Sequence, residues 1–203
     1  MTTLEQLREE CKTYFARIDQ EAYERLVFGE GKEADPALML IGEAPGEQEA
    51  IQLRPFVGKA GKNLDQFLQV LGLKREEIYI SNVVKIRPSR ISPAGRVVNR
   101  PPSREEKALF TPWLMKEIAL IKPKVLVTLG NVALQAFIGD TIGNCHGRWS
   151  TIQIRLDDGL EMSFPLFALY HPASIIYNQS LKDVYAQDLE TLKATLQTPE
   201  CIL

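Results

Sequence analysis

Short apolar runs alternate along the chain with segments in which apolar residues recur every three or four positions. The short runs are typical of strands buried on both faces, and they cover residues 37–42, 77–85, 124–130 and 165–172. Residues 151–156 alternate apolar and polar side chains instead, which predicts a half-exposed edge hairpin with the last run. The pattern therefore predicts four core strands, with an edge hairpin at the fourth.

The intervening segments have the periodicity of helices. Capping-box patterns that begin at Thr3 and Ser103 predict helices ending near residues 18 and 121. A third helix is predicted from Gly61 to Gly72, because apolar residues repeat there at i, i+3, i+4 and i+7. A short helix is predicted from Asn131. The last helix is marked by Leu181, Tyr185, Leu189, Leu192 and Leu196.

Strands that alternate with helices predict an α/β fold: a three-layer α/β/α sandwich around a central, mostly parallel four-stranded sheet. One domain over residues 1–203 is expected, with an N-terminal helix at about 3–18 and a core at about 27–197. In a parallel sheet the carboxyl ends of the strands meet at one rim, where such folds bind ligands. Residues that follow those ends are therefore the candidates for chemistry.

Composition narrows the classes of function. The formal net charge of −2 and the isoelectric point of about 5.8 give no overall attraction to nucleic acid or to acidic membranes, so a polyanion would need a local basic patch. Three cysteines far apart in sequence exclude a disulfide framework and provide no metal-ligand spacing. No apolar run is long enough to span a bilayer. We expect a cytoplasmic monomer that binds no metal.

Four rim positions carry side chains that suit a flat polar ligand. Asn82 interrupts an apolar run and could offer one donor and one acceptor, or it could simply bond a neighbouring loop. Phe56, in a loop rich in Gly and Pro, is either a stacking platform or a hydrophobe folded onto the core. His171 follows the last core strand, and Glu43 follows Gly42 at the first. Each of these residues also has a purely structural explanation.

Residues 85–107 hold seven basic side chains against two acidic ones in an otherwise acidic chain. This Pro-rich segment is either a solvated loop or an arm that binds phosphates. The candidate DNA-binding residues in it are Lys85, Arg87, Arg90, Arg96 and Arg100. Ile175 and Ile176 form an apolar tip after His171 that could act as a wedge between bases, and Ser174 and Ile175 are the candidate DNA-binding residues there.

Together these segments resemble the uracil-DNA glycosylase superfamily, in particular its bacterial and archaeal branch that usually carries an iron–sulfur cluster. The matching motifs occur in family order and span about residues 27–177. They are VFGEG (27–31), LMLIGEAPGEQE (38–49), RPFVGKAG (54–61), IYISNVVKIRP (78–88), PKVLVTLG (123–130) and YHPASI (170–175).

The resemblance implies an enzyme of base-excision repair that extrudes uracil from DNA and hydrolyses its N-glycosidic bond. Phe56 would stack on the base, and Asn82 would read O4 and N3–H. His171 would donate to the developing charge on O2, helped by backbone N–H groups of the segment from Gly42 to Ala44. Glu43 or Glu49 would orient water, and we expect Glu49. No lysine is placed to form a Schiff base, so a monofunctional enzyme is expected.

The chain departs from the family pattern at several positions. The cluster cysteines are replaced by Tyr14, Arg17, Ile86 and Phe110. We therefore predict no iron–sulfur cluster and bulky or apolar packing in that corner. Ala50 stands where the family has Asp, and Tyr177 where Arg is common. These departures leave open a catalytically weak or inactive member that binds nucleic acid or a free base. An unrelated small-molecule enzyme with the same rim also remains open.

Overall fold

The computed structural model describes residues 2–19 and 23–198. The helices are α1 (Leu4–Asp19), α2 (Glu47–Gln52), α3 (Lys59–Leu71), α4 (Arg104–Ile121), α5 (Asn131–Gln135), α6 (Ile142–Cys145), α7 (Pro172–Tyr177) and α8 (Lys182–Gln197). The strands are β1 (Glu30–Gly31), β2 (Met39–Gly42), β3 (Tyr79–Asn82), β4 (Ser89–Ile91), β5 (Val97–Asn99), β6 (Leu126–Leu129), β7 (Trp149–Arg155) and β8 (Glu161–Leu169). Single 3₁₀ turns occupy Arg75–Glu77 and Gln179–Leu181.

Six strands form the main sheet in the order β1-β3-β2-β6-β8-β7. The four central strands β3, β2, β6 and β8 are parallel neighbours, as predicted. The sheet is larger than the four strands predicted, because β1 and β7 add antiparallel edges. The β7–β8 hairpin matches the alternation at 151–156. Strand β1 has only two residues, too few to leave a periodic signal in the sequence.

Alternation within each central strand distributes its side chains to two cores. In β2, Met39 and Ile41 join one cluster, which includes residues of α1 and α4. Leu40 joins the other, which includes residues of α3 and α8. Successive side chains of a strand point to opposite faces, so helices cover both faces of the sheet. Both faces of the central strands are therefore removed from water, which explains their continuous apolar runs.

Local signals set the helix ends where the sequence predicts them. Ser103 Oγ accepts from the Glu106 N–H at 3.1 Å, and the Glu106 carboxylate accepts from the Ser103 N–H at 2.6 Å. The corresponding pair of bonds joins Thr3 and Gln6 at the start of α1. Gly72 ends α3 with φ +71°, a left-handed conformation that glycine adopts without strain. None of the described helices combines the length and apolarity needed to cross a bilayer.

Candidate active site

A cavity of about 600 Å³ opens at the carboxyl ends of the parallel strands. Its lining includes Glu43 after β2, Asn82 at the end of β3 and His171 after β8, together with Phe56 from the loop before α3. Parallel strand order brings these segments together although they are far apart in sequence. The rim predicted from the alternation of strands and helices is therefore where this cavity lies.

Gly42 ends β2 beside this cavity, and the side chains of Asn82 and Phe56 occupy the space that its own side chain would fill. A β-carbon added to Gly42 would collide with Oδ1 of Asn82 and would lie 2.7 Å from Cζ of Phe56. Only a residue without a side chain lets the amide and the ring approach the strand end this closely. The Phe56 and His171 rings are 6.3 Å apart between centroids and are nearly parallel, with an interplanar angle of 24°. The aromatic ring, amide and imidazole thus surround one slot.

Asn82 lies at the bottom of the slot. The residue is 3% exposed, and within residues 2–19 and 23–198 its side-chain amide has no hydrogen-bond partner. Its backbone carbonyl, in contrast, accepts from Lys85 Nζ at 2.9 Å. A buried amide normally needs partners for its carbonyl and its N–H groups. The slot therefore presents an amide whose backbone is held and whose side chain is free to pair with a ligand.

Phe56 belongs to the core and also lines the cavity. The residue is 5% exposed and packs with Leu40, Leu64 and other residues of the core on the α3 side of the sheet. Its ring also lines the cavity. Its backbone adopts φ +52°, a left-handed conformation that is uncommon for residues with bulky side chains. The ring therefore packs on the core and also faces the slot.

Hydrogen bonding and burial both favour one form of the His171 ring. Its Nδ1 lies 3.1 Å from the Ala173 N–H, which can only donate, so Nδ1 is the acceptor. Burial lowers the pKa of His171 below its ordinary value. The neutral ring is thereby favoured, with its proton on Nε2. This bond also makes His171 the N-cap of α7.

The two candidate acids differ in their surroundings. Glu49 is buried, and its Oε1 accepts from the Gly58 N–H at 2.7 Å, which ties the two ends of the loop before α3. Glu43 is half-buried and its carboxylate has no hydrogen-bond partner among the described residues. Burial raises the pKa of Glu43, opposed by the positive charge of Lys107. Both acids line the cavity; Ala44 lines it too and packs on the neighbouring core.

The basic segment is not a loop but a two-stranded hairpin formed by β4 and β5. Gly95, with φ +73°, lies in the turn between the two strands. Arg90 and Arg96 are exposed on this hairpin. Arg87 bonds Asn99 Oδ1 at 2.7 Å and Glu47 Oε1 at 3.1 Å. The hairpin reaches the cavity through Val98 and Asn99, and Arg87, just before β4, lines the cavity too.

Lys85 and Arg100, like Arg87, are predicted phosphate contacts that have partners within the protein. Lys85 is 2% exposed, and its Nζ donates to Glu117 Oε2 at 2.6 Å. The assignment of Lys85 to DNA binding is therefore wrong, because a buried, paired ammonium cannot reach a phosphate. Arg100 forms a two-point bond with the Glu106 carboxylate, 2.7 Å for each contact, so its charge is largely neutralised within the protein.

The predicted wedge lies on α7, directly after His171. Ser174 and Ile175 are half-buried, and Ile175 packs partly on the core that contains Phe56. The side chains of Ile176 and Tyr177 lie outside the described part of the structure, and so does Cys201. Ser174 and Ile175 stand at the same end of the sheet as the cavity, since α7 begins immediately beyond the strand end.

Aromatic side chains fill the corner where the iron–sulfur branch of the resembled family would place its cluster. Phe15 of α1 stacks on Phe110 of α4 with centroids 4.3 Å apart, and Tyr14 packs against Trp113 at 5.6 Å. Ile86 packs on the same core. These side chains offer no thiolate and occupy the space, so they do not fit a cysteine-ligated cluster. No group of three His, Cys, Asp or Glu residues within 2–19 and 23–198 could hold a metal ion.

Sequence reasoning did not identify Arg75 or Asn99 as site residues, and it counted Lys107 only among the basic side chains of residues 85–107. Arg75 Nη2 donates to the Phe56 carbonyl at 2.6 Å across 19 residues of sequence. Asn99 lines the cavity from β5. These residues belong to charged or polar surface segments with no local pattern of their own. The turn at Gly95, between residues 89–91 and 97–99, is the one signal that could have indicated the hairpin.

Comparisons with known proteins agree with this arrangement. The profile of the Uracil DNA glycosylase superfamily matches residues 28–193. The type-4 uracil-DNA glycosylase of Sulfurisphaera tokodaii is 34% identical over 211 residues, covering 98% of this chain and 88% of that protein. The type-4 enzyme of Thermotoga maritima is 35% identical over 175 residues, covering 85% of this chain and 83% of that protein. With motifs, fold and rim geometry in agreement, this chain belongs to the uracil-DNA glycosylase superfamily.

Proposed function

We propose that this protein hydrolyses the N-glycosidic bond of uracil in DNA, releasing the free base and leaving an abasic site. The observation that carries the proposal is the slot over Gly42, where Phe56, Asn82 and His171 meet at one rim. A nucleobase inside a duplex cannot reach such a slot, so the nucleotide must be extruded. The similarity to type-4 uracil-DNA glycosylases supports the same assignment.

Base selection follows from the donor and acceptor pattern of Asn82. The amide oxygen accepts from uracil N3–H, and the amide N–H donates to uracil O4. With the amide in this orientation, cytosine presents the reverse pattern, an acceptor at N3 and an amino group at C4, so a buried group would remain unpaired on both partners. Such mismatched pairing discriminates strongly between bases. Phe56 contributes a flat apolar surface for stacking that does not itself select the base.

Bond cleavage moves negative charge onto the base and positive charge onto the sugar. The electron pair of the C1′–N1 bond passes to uracil and spreads to O2, where the Nε2–H of neutral His171 donates a hydrogen bond. A fixed donor is already in position as this charge develops, as in an oxyanion hole. The sugar becomes oxocarbenium-like at C1′ and is attacked there by water. A neutral imidazole suits this role because it can donate this hydrogen bond without placing a positive charge in a buried site.

The water must lose its proton as it attacks C1′. Glu43 suits this role better than Glu49, which was expected from the sequence. Glu49 already accepts from Gly58 and thereby holds the loop. Glu43 has a raised pKa, which brings its carboxylate closer to the basicity of an efficient proton acceptor near neutral pH. We therefore assign to Glu43 the activation of the attacking water. We assign to Glu49 the role of holding the loop before α3 in shape.

A uracil-containing oligonucleotide tests the proposed function. Wild-type protein is incubated with a single-stranded uracil substrate and with a U:G duplex, and abasic sites are then cleaved with alkali. Alkali-dependent cleavage at uracil alone is expected, with free uracil recovered in equal amount. Tight binding to uracil DNA without turnover would instead indicate an inactive member. Absence of both binding and cleavage by folded protein would favour a small-molecule enzyme.

Replacing Asn82 by aspartate should narrow the discrimination between uracil and cytosine by on the order of 10², because an ionised carboxylate accepts but cannot donate to uracil O4. Single-turnover excision from matched uracil and cytosine oligonucleotides measures the ratio. Asn82→Ala is the matched control: it should lose uracil excision without any gain in the absolute rate of cytosine excision. Unchanged discrimination in Asn82→Asp would remove Asn82 from base selection.

Replacing Arg90 and Arg96 by alanine should weaken DNA binding and flatten its salt dependence. Each lost phosphate contact lowers the slope of log K against log salt by roughly 1. The control removes two exposed cations at the opposite ends of the strands, Lys124 and Arg155, and should leave the slope unchanged. Equal slopes for the two double variants would show that the hairpin does not carry the DNA contact.

A further inference from the structure

We propose that Arg75 is a positioning residue that fixes the Phe56 ring in the slot. The inference rests on the proposed function, since Phe56 is the residue that would stack on the extruded base. Arg75 lies outside the cavity lining. It acts through the backbone of Phe56, because its Nη2 donates to the Phe56 carbonyl at 2.6 Å.

The backbone of Phe56 needs an external partner. With φ +52°, Phe56 is in the left-handed region, which a side chain with a β-carbon disfavours. Its carbonyl points at the first turn of α3, where a β-carbon on Gly61 would collide with it. This oxygen therefore lies in a confined place, and the guanidinium of Arg75 is its partner. A hydrogen bond from a charged donor is among the stronger ones available.

Arg75 is itself anchored on two further sides. Its Nε donates to Asp65 Oδ1 of α3 at 2.8 Å. Its Nη1 lies 3.9 Å from Oε1 of Glu30 on the edge strand β1, and Glu30 also pairs with Arg54. A planar guanidinium with several directed donors can connect these groups at fixed angles, which a lysine ammonium does not do.

This arrangement links the two sides of the slot. Arg75 lies in the 3₁₀ turn Arg75–Glu77, directly before the β3 segment that ends in Asn82. Residues 75–82 thus carry the Asn82 amide, which would select the base, at their carboxyl end. At their amino end, Arg75 holds Phe56, whose ring would stack on the base. Loss of the Arg75 bond should leave the fold in place, while the ring becomes free to leave the position that the base requires.

The test compares Arg75→Ala with Arg75→Lys and Arg54→Ala. Arg54→Ala removes the same charge from the same Glu30 cluster without touching Phe56. The readouts are single-turnover excision of uracil, inhibition by free uracil, affinity for abasic DNA, and the thermal midpoint. Ring resonances of labelled Phe56 report its position independently of activity.

Arg75→Ala should slow excision and weaken free-uracil inhibition by on the order of tenfold to 10², the scale of a small misplacement in a site. Affinity of Arg75→Ala for abasic DNA should stay within about twofold of the wild-type value, because the substitution does not move the contacts to the DNA backbone. Arg75→Lys should recover part of the loss, and Arg54→Ala should resemble wild type. Phe56 resonances should move in Arg75→Ala alone.

Two failures are distinguishable. Wild-type protein that does not excise uracil would overturn the proposed function, while the Phe56 resonances would still report whether Arg75 positions the ring. Wild-type protein that excises uracil, with Arg75→Ala equal to Arg54→Ala in excision, uracil inhibition and Phe56 resonances, would overturn the role of Arg75.

Discussion

Replacing His171 by alanine should slow the chemical step of uracil excision by on the order of 10² or more, the scale of one lost oxyanion donor. The reason is that the Nε2–H of His171 is the donor proposed for the charge developing on O2. DNA binding should be nearly preserved, because His171 lies in the slot rather than on the cationic hairpin. Single-turnover kinetics on a uracil oligonucleotide measure the effect without the contribution of product release.

The alanine variant also removes the N-cap of α7, a loss of about 1 kcal/mol on its own. His171→Asn separates the two effects, since asparagine is a good N-cap but lacks the imidazole donor. Both variants should be slow, and the asparagine variant should keep more of the stability. His146→Ala is the control for residue type. His146 pairs with Asp188 at 2.9 Å and is not among the residues that line the cavity. Wild-type rates in both His171 variants would exclude the proposed chemistry.

Replacing Lys85 by methionine should lower the free energy of unfolding by about 3–5 kcal/mol, because it leaves a buried carboxylate without its cation. Glu117 is 3% exposed, and its Oε2 accepts from Lys85 Nζ at 2.6 Å and from Ser81 Oγ at 2.8 Å. Its Oε1 accepts from the Tyr79 hydroxyl at 2.9 Å. Denaturant unfolding at pH 7 measures the loss.

The pH dependence gives this prediction a specific signature. Burial alone would raise the pKa of Glu117, but the Lys85 charge and the hydrogen bonds from Lys85, Ser81 and Tyr79 lower it below its ordinary value. The contribution of ionised Glu117 to the stability of the wild-type protein is therefore fully present above the ordinary carboxyl pKa. It is lost as pH falls through the lowered pKa of Glu117. In Lys85→Met, burial is opposed only by the hydrogen bonds from Ser81 and Tyr79, so we expect the pKa of Glu117 to rise, and the native state then gains a proton and recovers stability on acidification. The difference between the two proteins should shrink as pH falls.

Two further variants test the cause. Adding Glu117→Gln to Lys85→Met should restore part of the stability, because a neutral amide costs less to bury than an unpaired carboxylate. Arg155→Met breaks the exposed pair between Arg155 and Glu161 and should cost less than about 1 kcal/mol. A loss in Lys85→Met no larger than that of Arg155→Met would show that the buried pair contributes little. Because Lys85 also bonds the Asn82 carbonyl, its loss should slow uracil excision as well.

The sequence alone determined the features that depend on local pattern. Continuous apolar runs indicated the four parallel strands, because a strand that is buried on both faces carries apolar side chains at successive positions. The paired hydrogen bonds at Ser103 and Glu106 form within one turn, so their spacing could be recognised directly. The rim positions of Asn82 and His171 followed from strand order, because parallel strands bring their carboxyl ends to one side.

Tertiary structure alone decided how charged side chains are used. Lys85 resembles its basic neighbours in the sequence, yet its partner Glu117 lies 32 residues away and both are buried. Arg75 became part of the site through the Phe56 carbonyl, a backbone atom that no side-chain pattern reveals. A charged side chain has a long reach and no fixed period, so its role depends on which partner the folded chain brings within hydrogen-bond distance. Apolar periodicity is local and survives in the sequence, whereas ion pairing is set only by the assembled fold.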